Sequence, residues 1–130
     1  MNVHITGRHL TVTQAMQDYA REKASKLDRF FDRIQHVDVV MDVDGLQHLV
    51  EMTATLVRHV KVFGKAQAAD MYAAIDLAES KLKSQIHKFH DRLKAHRDRT
   101  RIGKGTAPTP AQEEETYDQV VREMLEEEEK

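Results

Sequence analysis

Between residues 37 and 66 apolar side chains recur at every second position in three successive runs, whereas on either side of this stretch they recur at every third or fourth. A change of period from helical to two and back admits few arrangements: strands form in the middle and helices flank them. In the first run Val37, Val39, Met41 and Val43 alternate with Asp38, Val40, Asp42 and Asp44, and the dipeptide Asp44-Gly45 marks a turn. In the second, Val50, Met52, Ala54 and Leu56 alternate with Glu51, Thr53, Thr55 and Val57, so this strand pairs back antiparallel. A third run extends from Val60 to Ala66 after a turn at Arg58-His59. Ahead of all three, Val3 and Ile5 alternate with His4 and Thr6 before Gly7, which predicts a short first strand.

The flanking segments carry helical spacing. Thr13 offers an N-cap oxygen to a run in which Met16, Ala20, Leu27, Phe31 and Ile34 share one face, predicting a helix over about residues 14–31. Asp70 caps a second helix whose Ile75, Ala78, Leu82, Ile86, Phe89 and Leu93 form a single apolar stripe. The predicted fold is α+β in the order β-α-β-β-β-α, an antiparallel four-stranded sheet with two helices packed on one face and the other face wet. That wet face presents Asp38, Asp42, Asp44, Glu51, Thr53 and Thr55, with Lys61, Phe63 and Lys65 on the last strand. A base-stacking sheet needs several rings in a basic surround, and one phenylalanine among acids does not supply it. Any nucleic-acid surface therefore lies on the helices.

Charge is divided along the chain. Residues 1–104 hold a formal charge of +5 and residues 105–130 one of −7, although the whole chain is close to neutral at −2. The boundary falls among Gly103, Gly105, Pro108 and Pro110, which predicts one α+β domain over residues 1–102 and a flexible linker with an acidic tail over 103–130. Tyr117, Val120, Val121, Met124 and Leu125 form a short helical stripe within the tail, but acids surround it, and the favoured reading is a disordered solubilising extension. Held close by its linker, such a tail either gates the basic helices or never touches them.

The second helix carries Lys81, Lys88 and Arg92 on one flank of its stripe and Lys83, Lys94, Arg97 and Arg101 on the other. The first helix adds Lys23, Lys26, Arg29 and Arg33. Side by side, Lys23, Lys26, Arg29, Arg33, Lys81, Lys88 and Arg92 would make one cationic surface suited to phosphates; the plainer reading is a solvated face whose cations pair with Asp28, Asp32 and Asp91. Acids thin out after Glu79 while bases continue, which favours nucleic-acid binding. Tyr72, at the start of the second helix, is placed to stack on or hydrogen-bond to RNA.

Enzymatic chemistry finds no foothold. Ser25, Ser80 and Ser84 all lie in predicted helices, no glycine-rich loop cradles phosphate, and with no cysteine there is neither a thiolate nucleophile nor a disulfide. His87 and His90 lack a third partner for zinc, so neither metal nor other cofactor is expected. Without an apolar run near the roughly 18 residues of a membrane span, the expected protein is soluble and cytoplasmic, with no membrane partner and no small-molecule substrate.

The segments Ile5-Thr6-Gly7-Arg8, Lys26-Leu27-Asp28-Arg29-Phe30-Phe31 and especially Asp70-Met71-Tyr72-Ala73-Ala74-Ile75-Asp76 before Lys81-Leu82 resemble the ribosome hibernation factor family, over about residues 1–99. That family comprises hibernation promoting factors, ribosome-associated inhibitor A (protein Y) and proteins labelled sigma-54 modulation proteins. The resemblance implies a fold like a double-stranded RNA-binding domain. It also implies a stress-response role in which the protein, a monomer off the ribosome, binds the small subunit through ribosomal RNA, with ribosomal proteins as further candidate partners, where messenger RNA and the A- and P-site transfer RNAs would sit. Translation is then blocked by occupancy. Lys23, Lys26, Arg33, Lys81, Lys88 and Arg92 match its basic positions, and Asp70, Met71 and Tyr72 its signature; Ser84 departs from a frequent arginine. The C-terminal dimerisation domain of the long form has no counterpart here, which points to the short form. Two rival functions stand beside it: a general structured-RNA-binding protein, and a sigma-54-type transcription modulator acting by protein binding.

Overall fold

Strand β1 (Asn2–Arg8) leads into helix α1 (Gln14–Phe30), then strands β2 (His36–Asp44), β3 (Gln47–Thr55) and β4 (Lys61–Ala68), and helices α2 (Met71–Thr100) and α3 (Pro110–Glu128). The structure, a computed structural model, describes residues 1–31, 33–57, 60–100 and 110–128. The caps are those the residue types dictate. Thr13 Oγ1 accepts from the Met16 N–H at 3.2 Å, and the Phe31 N–H closes α1 on the Leu27 carbonyl at 2.9 Å. Asp70 Oδ2 accepts from the Ala73 N–H at 3.1 Å, opening α2. The β2–β3 hairpin turns on Gly45 and Leu46 alone, since Asp44 pairs with Gln47, and only the glycine has a positive φ, 61°. A positive φ at the first of two loop residues is the preference of a type II′ turn, whose twist suits the strands it joins.

The sheet has the order β1-β2-β3-β4, with β2, β3 and β4 antiparallel in succession. The alternating pattern predicts an antiparallel sheet throughout, but β1 runs parallel to β2, pairing Val3 with Val37 and Ile5 with Val39. The reason is topological. A helix between two neighbouring strands carries the chain back to the end from which it started, so the second strand repeats the direction of the first. The turn expected at Arg58-His59 lies outside the described residues; beside it, the Leu56 N–H donates to the Val60 carbonyl at 2.7 Å.

Two compact units make up the chain, residues Met1–Ile86 and His87–Lys130. In the first, alternation becomes burial: Val37, Val39, Met41, Val50, Met52, Ala54, Val62 and Ala66 turn one sheet face inward, and β1 contributes half-buried Val3 and Ile5. Ala20, Ala24 and Leu27 of α1 and Ala74, Ile75, Ala78 and Leu82 of α2 are fully buried with them. Gly64 allows the closest approach, because a methyl built there would run into the backbone of Ala78 and Leu82. In the second unit Phe89 and Leu93 of α2 and Tyr117, Val120 and Met124 of α3 are buried, and the Phe89 and Tyr117 rings stack at 5.7 Å and 27°. The segment favoured as a disordered extension is thus helical over Pro110–Glu128, with three of its five stripe residues buried while Val121 is half-buried and Leu125 exposed. Of the expected linker, residues 103–109 lie outside the described residues, and Pro110 stands at the first helical position, where its missing N–H costs nothing.

Candidate nucleic-acid interface

Within the first unit two helical pairs meet. Tyr19 and Lys23 are one turn apart on α1, Tyr72 and Asp76 one turn apart on α2, so each helix presents a ring and a charge on one face. The Tyr19 hydroxyl donates to Asp76 Oδ1 at 2.6 Å, and Lys23 Nζ lies 3.2 Å from the same oxygen. The Tyr19 and Tyr72 rings stand edge to face, 5.1 Å apart at 86°, and the Lys23 ammonium lies 5.6 Å from the centre of the Tyr19 ring. The Tyr19 hydrogen bond and then the Lys23 ammonium hold the Asp76 carboxyl below its ordinary range against the opposing pull of burial. The same carboxylate raises the Tyr19 phenol, assisted by burial, and raises Lys23 despite burial.

The other cations expected on this surface are placed as follows. Lys26 is half-buried with its ammonium 4.0 Å from Glu22, and Arg29, Arg33 and Lys81 are exposed. Arg33 has a left-handed backbone, φ 74°. Tyr72 is half-buried beside Tyr19. In the second unit Lys88 and Lys94 are exposed, while half-buried Arg92 places Nη1 3.7 Å from Glu123 Oε2 of α3. The structure therefore joins Lys23 to an acid, Asp76, that was not among the partners expected for these bases. Tyr19 was likewise overlooked. The i, i+4 spacing of Tyr19 with Lys23 and of Tyr72 with Asp76 was the available signal, but only the packed helices show that the pairs face each other.

The outer sheet face is polar. His9 Nδ1 lies 2.9 Å from Asp42 Oδ1 and, as the largest influence, lowers that carboxyl; His36 Nε2 lies 3.2 Å from Thr55 Oγ1 and 3.4 Å from Asp38 Oδ2. Phe63 stands among them 40% exposed, one ring where a stacking platform needs several. Among the described residues no group of three or more His, Asp or Glu side chains is placed to hold a metal, and no helix is long and apolar enough to cross a membrane.

A four-stranded mixed sheet in the order β1-β2-β3-β4, with α1 following β1 and α2 following β4, places the chain in the class of small α+β proteins. Residues 3–94 match the family described as Sigma 54 modulation protein / S30EA ribosomal protein, and the chain belongs to that family. Over 92 residues it is 45% identical to a ribosome hibernation promoting factor of Azotobacter vinelandii, covering 71% of this chain and 85% of that one. Over 96 residues it is 38% identical to the ribosome hibernation promoting factor of Escherichia coli K12, covering 74% of this chain and all of the relative, 100%. Among solved structures, the N-terminal domain of Thermus thermophilus Protein Y superposes with a TM-score of 0.63 at 34% identity, over 68% of this chain and 99% of that one. A ribosomal subunit interface protein from Coxiella burnetii shares the fold with a TM-score of 0.65 at 22% identity, over 70% of this chain and 99% of that one.

Proposed function

We propose that this protein is a ribosome hibernation factor that silences translation by occupying the small subunit where messenger RNA and the A- and P-site transfer RNAs would lie. The observation that carries the reading is agreement along one stretch of chain: the segment shared with the hibernation promoting factors is also the segment that bears the cationic helices. Lys23, Lys26, Arg29, Arg33, Lys81, Lys88, Arg92 and Lys94 contact phosphates of ribosomal RNA, releasing counterions, and Tyr72 adds a ring at the start of α2. Inhibition by occupancy has no covalent step, so the protein acts without cofactor. It works in the cytoplasm, as a monomer until it meets the ribosome, and residues 1–102 are the part that binds.

Cosedimentation with purified small subunits across a salt series tests this. Retention that transfer RNA competes away supports it; equal affinity for arbitrary RNA duplexes makes the protein a general RNA binder, and binding only to a sigma factor makes it a transcription modulator. Replacing Lys81, Lys88 and Arg92 together by alanine should leave the fold intact. Each lost phosphate contact should weaken subunit binding and flatten the logarithmic salt slope by about one. A folded triple variant with unchanged affinity and slope removes these residues from the interface.

A further inference from the structure

An acid amid cations that bind phosphate opposes that binding unless it does something else there. Asp76 sits so, with one oxygen, Oδ1, receiving both the Tyr19 hydroxyl at 2.6 Å and the Lys23 ammonium at 3.2 Å. A lysine has a long flexible stem and loses much rotamer freedom when it is held. Here the stem is already restrained: the Lys23 side chain is 22% exposed, its ammonium is tied to Asp76, and it lies over the Tyr19 ring, itself held edge to face by Tyr72. An ammonium has three donors, and Asp76 occupies one, leaving the others for a ligand oxygen at a defined place.

We propose that Asp76 is a positioning residue that sets specificity: it fixes Lys23 as a phosphate contact for one RNA shape and withholds it from RNA at large. This rests on the function proposed above. A free Lys23 would follow any phosphate within reach, whereas a tethered one rewards only a backbone that brings a phosphate to it. The carboxylate thus lowers general RNA affinity and raises the discrimination between the ribosomal site and an arbitrary duplex.

The full-length variant Asp76→Asn tests it, because asparagine keeps the shape and an acceptor for the Tyr19 hydroxyl while releasing the ammonium. Affinity for an arbitrary RNA duplex should rise about twofold, because the released Lys23 ammonium can follow any phosphate within reach, while small-subunit affinity should fall about fivefold, the upper range for losing one partly exposed ion pair. In a Lys23→Ala background both changes should vanish. Tyr19→Phe, which removes the phenol hydrogen bond and leaves the Lys23–Asp76 pair, should lower thermal stability and keep the ratio of the two affinities. The inference is overturned if D76N shifts both affinities in the same direction, if its effects persist without Lys23, or if Y19F reproduces its loss of discrimination. Failure of the wild type to sediment with small subunits would overturn the proposed function instead, and the duplex measurements in the Lys23→Ala background would still decide the role of Asp76.

Discussion

Arg33 holds a left-handed backbone, φ 74°, in the connection between α1 and β2. An L side chain in that region costs about 1–2 kcal/mol, and glycine relieves the strain while giving back part of the gain as unfolded-state entropy. Arg33→Gly should therefore stabilise the fold by about 0.5 kcal/mol, read from urea melts, and yet weaken small-subunit binding, because an exposed cation is lost. Unchanged subunit binding would remove Arg33 from the contact surface, and a loss of stability would mean that its left-handed backbone carries no strain that glycine relieves. The Tyr19, Lys23 and Asp76 cluster gives a second test, through pH. Asp76 titrates below its usual 3.8 in the folded chain, so its contribution is present above that value and fades as pH falls through the lowered one. Lys23 and Tyr19 titrate above their usual 10.5 and 10.0, so theirs is present below those values and fades as pH rises through the raised ones. Asp76→Asn should flatten both the acid and the alkaline limb of a stability–pH curve, and a curve unchanged on both sides would show that the cluster contributes nothing to stability.

At the scale of elements, α2 approaches β4 most closely at Gly64, where there is no side chain to hold the two apart. Gly64→Ala puts a methyl against helix backbone, which cannot move aside as a flexible side chain would, and should destabilise the chain by about 2 kcal/mol in chemical denaturation. A loss under a few tenths would mean that α2 shifts freely on the sheet. The positions of the elements were legible beforehand because their signals are local. Thr13 and Asp70 cap what they were expected to cap, Gly45 turns the hairpin, and Val37, Val39, Met41, Val50, Met52 and Ala54 face inward as a period of two requires. Strand direction was not legible, since alternation reads the same in either sense and β1 is aligned by the path of α1. Nor was the clamp of Tyr19 and Lys23 on Asp76, which joins residues more than fifty apart that local spacing cannot connect. Helix α3 was underestimated because its acids outweighed the stripe that Tyr117, Val120 and Met124 bury.

Residues 105–130 carry −7 and residues 1–104 carry +5, and among the described residues of the second unit Arg92 and Glu123 bring a base of the one and an acid of the other together. Arg92, a proposed phosphate contact, is engaged by Glu123, while Tyr117 stacks on Phe89 beside it. On the proposed function RNA takes Arg92 only if this ion pair yields, and α3 would then compete with phosphate at that position. An exposed pair alone is weak, but the tail carries many charges at a high local concentration set by its covalent attachment. Deleting residues 105–130 should raise affinity for arbitrary duplex RNA by about tenfold at low salt, less as screening grows, and should raise small-subunit affinity by a smaller factor because contacts of shape contribute there. Glu123→Gln, which leaves the Phe89–Tyr117 stack in place, should reproduce a small part of the gain without exposing apolar surface. Filter binding for the duplex and cosedimentation for the subunit, each at two salt concentrations, separate the outcomes. Unchanged affinities would show that the tail is no gate, and a loss of subunit binding on deletion would make α3 part of the contact surface itself.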